Sequence, residues 1–300
     1  MALLVVGTVA YDSVETPAGR AEEVLGGAAT YFSYAASFFC PVRLMGVVGE
    51  DFRDEDRSVL EERSIDLRGL LGAPGRTFRW SGRYEGDCNV AETVQTQLNV
   101  WEHYDPQIPE PFRDSRFLFL ANQPPAVQAK VVDQAAPGAF IVMDTMDFWI
   151  RNTVDDLRAV LRRVDGVTIN DTEARMLTGE PTLIRAGRAI LDLGPRLVVL
   201  KKGEHGSFLF SPELFFALPA YPVADLRDPT GAGDTFAGGL MGFLAHAGEI
   251  DEPNLKRAMV YGTVLSSCNV EGFSLEGLRR TTRERIEVRY RELLRFTAVP

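Results

Sequence analysis

The sequence predicts an α/β fold built on an open, mostly parallel sheet, and three observations lead there. Short apolar, β-branched runs alternate along the chain with amphipathic segments. The runs are apolar throughout rather than at every second residue, as strands buried on both faces are. The alternation breaks once, over residues 76–104, where two polar stretches read as a ribbon beside the sheet rather than within it.

The elements follow in order. Strands are predicted at 3–7, 42–48, 117–121, 140–144, 167–170 and 197–201. Helices are predicted between them at 28–39, 55–63, 126–135, 154–164, 172–177 and 184–193. A strand pair is expected around 207–217, and beyond residue 230 the pattern is helical through Phe296. In the ribbon, 77–84 and 90–100 are rich in Thr, Gln, Arg and Trp, and Gly86-Asp87 supplies a hairpin turn. The ribbon and residues 9–24 form the expected lid on a single domain spanning 1–300. The Arg-rich segment 279–295 is interleaved with Glu284, Glu287 and Glu292 and carries Ile286, Leu293 and Leu294, which reads as a solvated amphipathic helix.

Composition narrows the function classes. With 300 residues, 45% hydrophobic and 25% charged, the chain is an ordinary globular protein. Its net charge of -10 argues against a nucleic-acid or anionic-membrane surface, so any phosphate must be met by a local site. Cys40, Cys88 and Cys268 have no CxxC spacing, as expected of thiols in a reducing cytoplasm. Met1 runs straight into an apolar strand without a basic leader, so no signal peptide is expected, and no apolar stretch has spanning length. His103, His205 and His246 show no metal-ligand spacing.

The chemistry concentrates in Asp228-Pro229-Thr230-Gly231-Ala232-Gly233-Asp234, a glycine-bearing loop that feeds a helix dense in small residues. A helix start offers unpaired N–H groups and a positive dipole end, and hence an anion site. Asp234 has two readings there: a plain N-cap, or a base that takes a proton from an attacking hydroxyl. The residues alone leave both open. No GxxxxGK[ST] occurs, and Gly231-x-Gly233 lacks the third glycine and preceding strand of a dinucleotide fingerprint.

The run from Asp228 to Met241 resembles, at every position, the C-terminal signature of the PfkB-type carbohydrate kinases of the ribokinase-like superfamily. The resemblance implies a three-layer α/β/α sandwich with a small β lid. It makes Asp234 the general base and the amides of Gly231, Ala232, Gly233 and Asp234 an anion hole. Asn170 and Glu173, in Asn170-Asp171-Thr172-Glu173, match the family's Asn-x-x-Glu, which organises Mg²⁺ and phosphate through water. Lys201, one of the chain's few lysines, would meet ATP phosphate, with Gly203, Gly206 and Asn269 also on the nucleotide side. Asp12, Gly26, Gly27, Tyr31 and Asn122 would line the acceptor pocket. Asp228 and Thr230 match positions linked to a monovalent cation such as K⁺.

Two positions depart from the pattern. Tyr31 stands where relatives usually have Asn, and Met146 replaces Asn in Asp144-Thr145-Met146. With Phe148 and Trp149 they suggest a flatter, more apolar pocket, suited to a nucleobase or modified sugar; core packing is the competing reading. The expected function is transfer of the γ-phosphoryl of ATP, with Mg²⁺, to an alcohol of a small sugar, polyol or similar substrate, by a homodimer. The alternatives are a nucleoside kinase of the same fold and a non-catalytic sugar- or nucleotide-binding regulator.

Overall fold

A computed structural model describes residues 1–86 and 88–298. The chain opens with β1 (Leu3–Val6), β2 (Ala10–Thr16), β3 (Gly19–Gly26) and α1 (Ala28–Ala36), followed by β4 (Val42–Val48), α2 (Asp54–Glu61), β5 (Asp66–Gly72), β6 (Phe78–Tyr84) and β7 (Ala91–Gln97). The middle third runs through β8 (Phe117–Leu120), α3 (Pro125–Val132), β9 (Phe140–Asp144), α4 (Asp147–Asn152), α5 (Val154–Leu161), β10 (Gly166–Asn170), α6 (Asp171–Thr178), α7 (Leu183–Leu191) and β11 (Leu197–Lys201). It closes with β12 (Ser207–Phe210), β13 (Phe215–Leu218), α8 (Ala232–Ala247), α9 (Glu252–Asn269), α10 (Glu276–Arg279) and α11 (Arg283–Thr297).

Among the described residues the main sheet has nine strands in the order β13-β12-β11-β10-β9-β8-β1-β4-β5. The pairings from β11 to β5 are parallel, and only the β11–β12 and β12–β13 pairings are antiparallel. Strand pleat builds the two cores. Leu3 and Val5 face one side, packed with α1, α8 and α9 residues such as Phe32, Leu240 and Val264. Leu4 and Val6 face the other, with Val131 of α3, Leu157 of α5 and Ile190 of α7. Phe117/Phe119 and Leu118/Leu120 on β8 divide the same way, which yields the three expected layers. From β1 the chain moves outward through β4 to β5, then restarts at β8 on the other flank. That reversal opens a crevice at the strands' carboxyl ends, the usual ligand site of open α/β sheets.

A second sheet of four strands has the order β3-β2-β6-β7. Residues 9–24 and the ribbon, expected as a lid, thus join in one body through the parallel β2–β6 pair. The ribbon is shorter than expected. Val100 and Trp101 leave it to join the Leu4–Val6 core, where Trp101 is 5% exposed and packs 4.7 Å from Tyr104. Burying an indole outweighs extending a polar strand. Asp87, half of the expected turn, lies outside the described residues.

Candidate active site

The loop into α8 is clamped atom by atom. The Thr230 amide donates to Asp228 Oδ1 at 2.8 Å. The Thr230 carbonyl accepts from Asn269 Nδ2 at 2.8 Å. The Thr230 hydroxyl donates to the Tyr84 phenol oxygen at 3.3 Å. Gly231 then caps α8 in the left-handed region at φ 71°, a conformation glycine adopts without steric cost. The Tyr31 ring lies against it, so a Cβ at Gly231 would sit 2.3 Å from Tyr31 Cγ. This is the reason for a glycine here, at the start of a 16-residue helix.

Asp234 lies in the first turn of α8. Burial first, and then the negative charge of Asp144, push its carboxyl up to about 7, while Lys201 opposes the rise. A carboxylate titrating there is matched to proton abstraction near neutral pH. Lys201, at the end of β11, places Nζ 3.0 Å from Asp144 Oδ2. A Cβ on Gly233 would lie 3.0 Å from that same Nζ, so the ammonium stands over the start of α8. Asn170 and Glu173 cap α6 reciprocally: Glu173 N donates to Asn170 Oδ1 at 2.8 Å and Asn170 N to Glu173 Oε2 at 2.9 Å. Glu173 is 8% exposed, and burial followed by Asp144 raises its carboxyl to about 7.

At the other end of the crevice, Asp12 Oδ2 accepts from the Gly27 amide at 3.3 Å. A Cβ on Gly26 would sit 1.9 Å from that oxygen, so only glycine leaves the carboxylate its place. Burial raises Asp12 to about 7; the Gly27 amide works against this, and the charges on Asp228 and Asp234 add to it. Burial also raises Asp228. At the start of α4, Trp149 Nε1 donates to Asn122 Oδ1 at 2.9 Å and Asn122 Nδ2 reaches Met146 Sδ at 3.1 Å. Phe148 stands edge-on to Trp149 at 4.8 Å and is half exposed.

The structure brings together Asp12, Gly26, Gly27, Lys201, Asp228, Thr230, Gly231, Ala232, Gly233 and Asp234, with Glu173 joined to them through the charges of Asp144 and Lys201 and Asn170 through its cap with Glu173. Three expected contacts sit differently. Tyr31 is 1% exposed and backs Gly231, because its flat ring is what fits against a residue without a side chain. Asn122 is engaged by Trp149 and Met146. Asn269 is wholly buried and grips the loop instead of facing the crevice. Gly203 and Gly206 flank a 3₁₀ turn that meets the small sheet: a Cβ at Gly203 would lie 2.6 Å from Asn89 Oδ1, and Asn89 Nδ2 donates to Glu204 Oε1 at 3.3 Å. Sequence reasoning missed Asp144 and Tyr84. An acid closing a buried apolar strand was a signal for the first; nothing marked the second.

The family described as pfkB family carbohydrate kinase matches residues 95–277. A cytidine kinase of Thermococcus kodakarensis is 29% identical over 256 residues, which is 83% of this chain and 91% of that protein. Among solved structures, fructokinase from Vibrio cholerae O395, bound to fructose, ADP and calcium, superposes with TM-score 0.79 at 17% identity over 96% of this chain and 98% of its own. Aminoimidazole riboside kinase from Salmonella enterica, with aminoimidazole riboside and an ATP analog, gives TM-score 0.77 at 19% identity over 97% and 100%.

Proposed function

Because the chain belongs to the pfkB family of carbohydrate kinases, we propose that it transfers the γ-phosphoryl group of ATP to an alcohol of a small sugar or nucleoside, with Asp234 as the general base. The observation that carries this is the placement of Asp234, raised to about 7, in the first turn of the helix that opens at Gly231. The acceptor hydroxyl loses its proton to Asp234 as it attacks. The Gly231–Asp234 amides and the Lys201 ammonium take up charge on the phosphoryl oxygens. Asp12, held by Gly27, orients the acceptor's other hydroxyls. The small sheet excludes water, which limits hydrolysis of ATP.

The donor set fits the ions this chemistry uses. Glu173 and Asn170, joined in their reciprocal cap, suit the outer shell of Mg²⁺ carried by triphosphate oxygens and water. When bound, Mg²⁺ would supply the positive charge that neutralises the phosphate oxygens. A hard monovalent cation such as K⁺ suits buried Asp228 and Thr230, whose carbonyl is gripped by Asn269 while the buried Oδ1 of Asn269 has no partner.

A nucleoside is the second reading for the acceptor. The Met146, Phe148 and Trp149 side chains, partly or half exposed, favour a flat apolar group over a bare sugar. The 29% identical relative carries the name cytidine kinase. Among the described residues no helix is long and apolar enough to cross a membrane, and a cytoplasmic site with reduced thiols remains part of the reading. The exposed Val90 and Val94 at β7 suit a second copy of the small sheet, and hence a homodimer. Incubation with ATP and a panel of sugars, polyols and nucleosides, read as phosphorylated product, tests the proposal. Failure to form product from any of them would leave the regulator reading in its place.

A further inference from the structure

The geometry points to Tyr84 as a positioning residue that ties the small sheet to the anion loop and holds that loop in its working shape; the inference rests on the reading of the loop as the phosphoryl site. Thr230 is fixed at three atoms by three parts of the chain. Its amide is held from within the loop by Asp228 and its carbonyl by Asn269 of α9. Its hydroxyl is held by Tyr84, the last residue of β6, so this third tie comes from the flap.

Tyr84 suits that task. Its neighbours Arg83 and Glu85 are exposed while its own side chain turns inward. Tyr84 pairs with Ala91 across the hairpin, which fixes the direction of the ring. Burial holds the phenol well above its ordinary range, Thr230 opposes the rise, and the carboxylates of Asp228, Asp12 and Asp234 add to it. The phenol is therefore neutral at any working pH: it accepts from Thr230 and keeps a proton to donate. A flap that lifts breaks this bond and frees the residue next to Gly231. The loop then has correct amide geometry only when the flap is down and water is excluded, which links phosphoryl stabilisation to closure.

Tyr84→Phe keeps the ring and removes the oxygen. Two measurements decide the matter: amide exchange of the peptide spanning 228–236, and steady-state kinetics with saturating acceptor. The expected result is exchange faster by about tenfold, kcat lower by about tenfold and the KM for ATP within about twofold of wild type, the scale of one buried hydrogen bond. Thr230→Ser keeps the bond and should resemble wild type in exchange. Thr230→Val should remove it, so that adding Tyr84→Phe to Thr230→Val changes exchange no further. Unchanged exchange in Tyr84→Phe overturns the inference, whatever the kinetics do. So does full additivity in the double variant. If the wild-type protein transfers no phosphoryl group, the exchange experiment still decides the tie to Thr230, and only the functional reading falls.

Discussion

Lys201 reaches past β10 to pair with Asp144 at the end of β9, with 3.0 Å between Nζ and Oδ2. The same ammonium lowers the Asp234 carboxyl, which Asp144 raises. One cation thus balances two acids at the mouth of α8, and the balance sets where the proposed base titrates.

Removing that cation should move the base. In Lys201→Met the Asp234 carboxyl loses its lowering partner and rises above about 7, so the acid limb of the pH–rate profile moves to higher pH. The activity deficit should then be larger near pH 7 than near pH 8.5, because on that limb the active fraction of the base changes about tenfold with each step of one in pH. A deficit constant across that range would show that Lys201 contacts phosphate without tuning Asp234.

Asp234→Asn should lower kcat by about 10²–10⁴-fold, the usual contribution of a general base, with ATP binding and fold retained. The acid limb should vanish with it. More than about a tenth of wild-type kcat at saturating acceptor would remove the base assignment.

Much of the fold is legible in the sequence because the informative residues are local. Six strands of the parallel sheet stand out as apolar runs, since burial on both faces leaves no polar alternation. The loop from Asp228 to Asp234 is likewise a contiguous pattern. What the sequence hides depends on partners far along the chain. β2 and β3 carry Glu15, Arg20, Glu22 and Glu23 exposed and read as loop, and β5 is an edge strand of mixed burial. That the Tyr31 ring also backs Gly231, some 200 residues away, is a contact nothing local in the sequence shows.

Stability should fall as the pH rises toward and through neutrality. Asp12, Glu173 and Asp234 titrate at about 7 in the folded protein, above their ordinary carboxylate range. Between that range and about 7 the folded state holds protons that the unfolded chain has released, so unfolding free energy drops as pH rises across the window. The melting temperature should therefore be higher near pH 6 than near pH 8. Asp12→Asn should raise the melting temperature near pH 8 and flatten its pH dependence. A melting temperature that climbs from pH 6 to pH 8 would contradict the burial of these acids.

Gly26→Ala should act on the acceptor and spare the nucleotide. The added methyl would sit 1.9 Å from Asp12 Oδ2, so the carboxylate must swing away. Overpacking of this kind costs about 1–3 kcal/mol, and here much of it should appear as an acceptor KM raised about tenfold with the KM for ATP unchanged. Equal rises in both constants would mean that Asp12 is not an acceptor ligand.

The hairpin tip offers the opposite selectivity. Tyr84 and Ala91 face each other as the last ladder pair of β6 and β7. Replacing residues 85–90 by an Asn-Gly turn, which suits a two-residue hairpin, should thus preserve the sheet and the Tyr84–Thr230 bond. What goes is the Asn89 contact to Glu204 and the close approach to Gly203. That turn lies just beyond β11 and Lys201, on the proposed nucleotide side. An exposed hydrogen bond to a carboxylate is worth only a modest amount, so the KM for ATP should rise by about threefold to tenfold. The acceptor KM should stay put, and release of phosphate to water should increase because the nucleotide end is no longer covered. Wild-type ATP kinetics without leakage would show that the tip rests on this turn without serving catalysis. A rise confined to the acceptor KM would place the tip's role at the other end of the crevice.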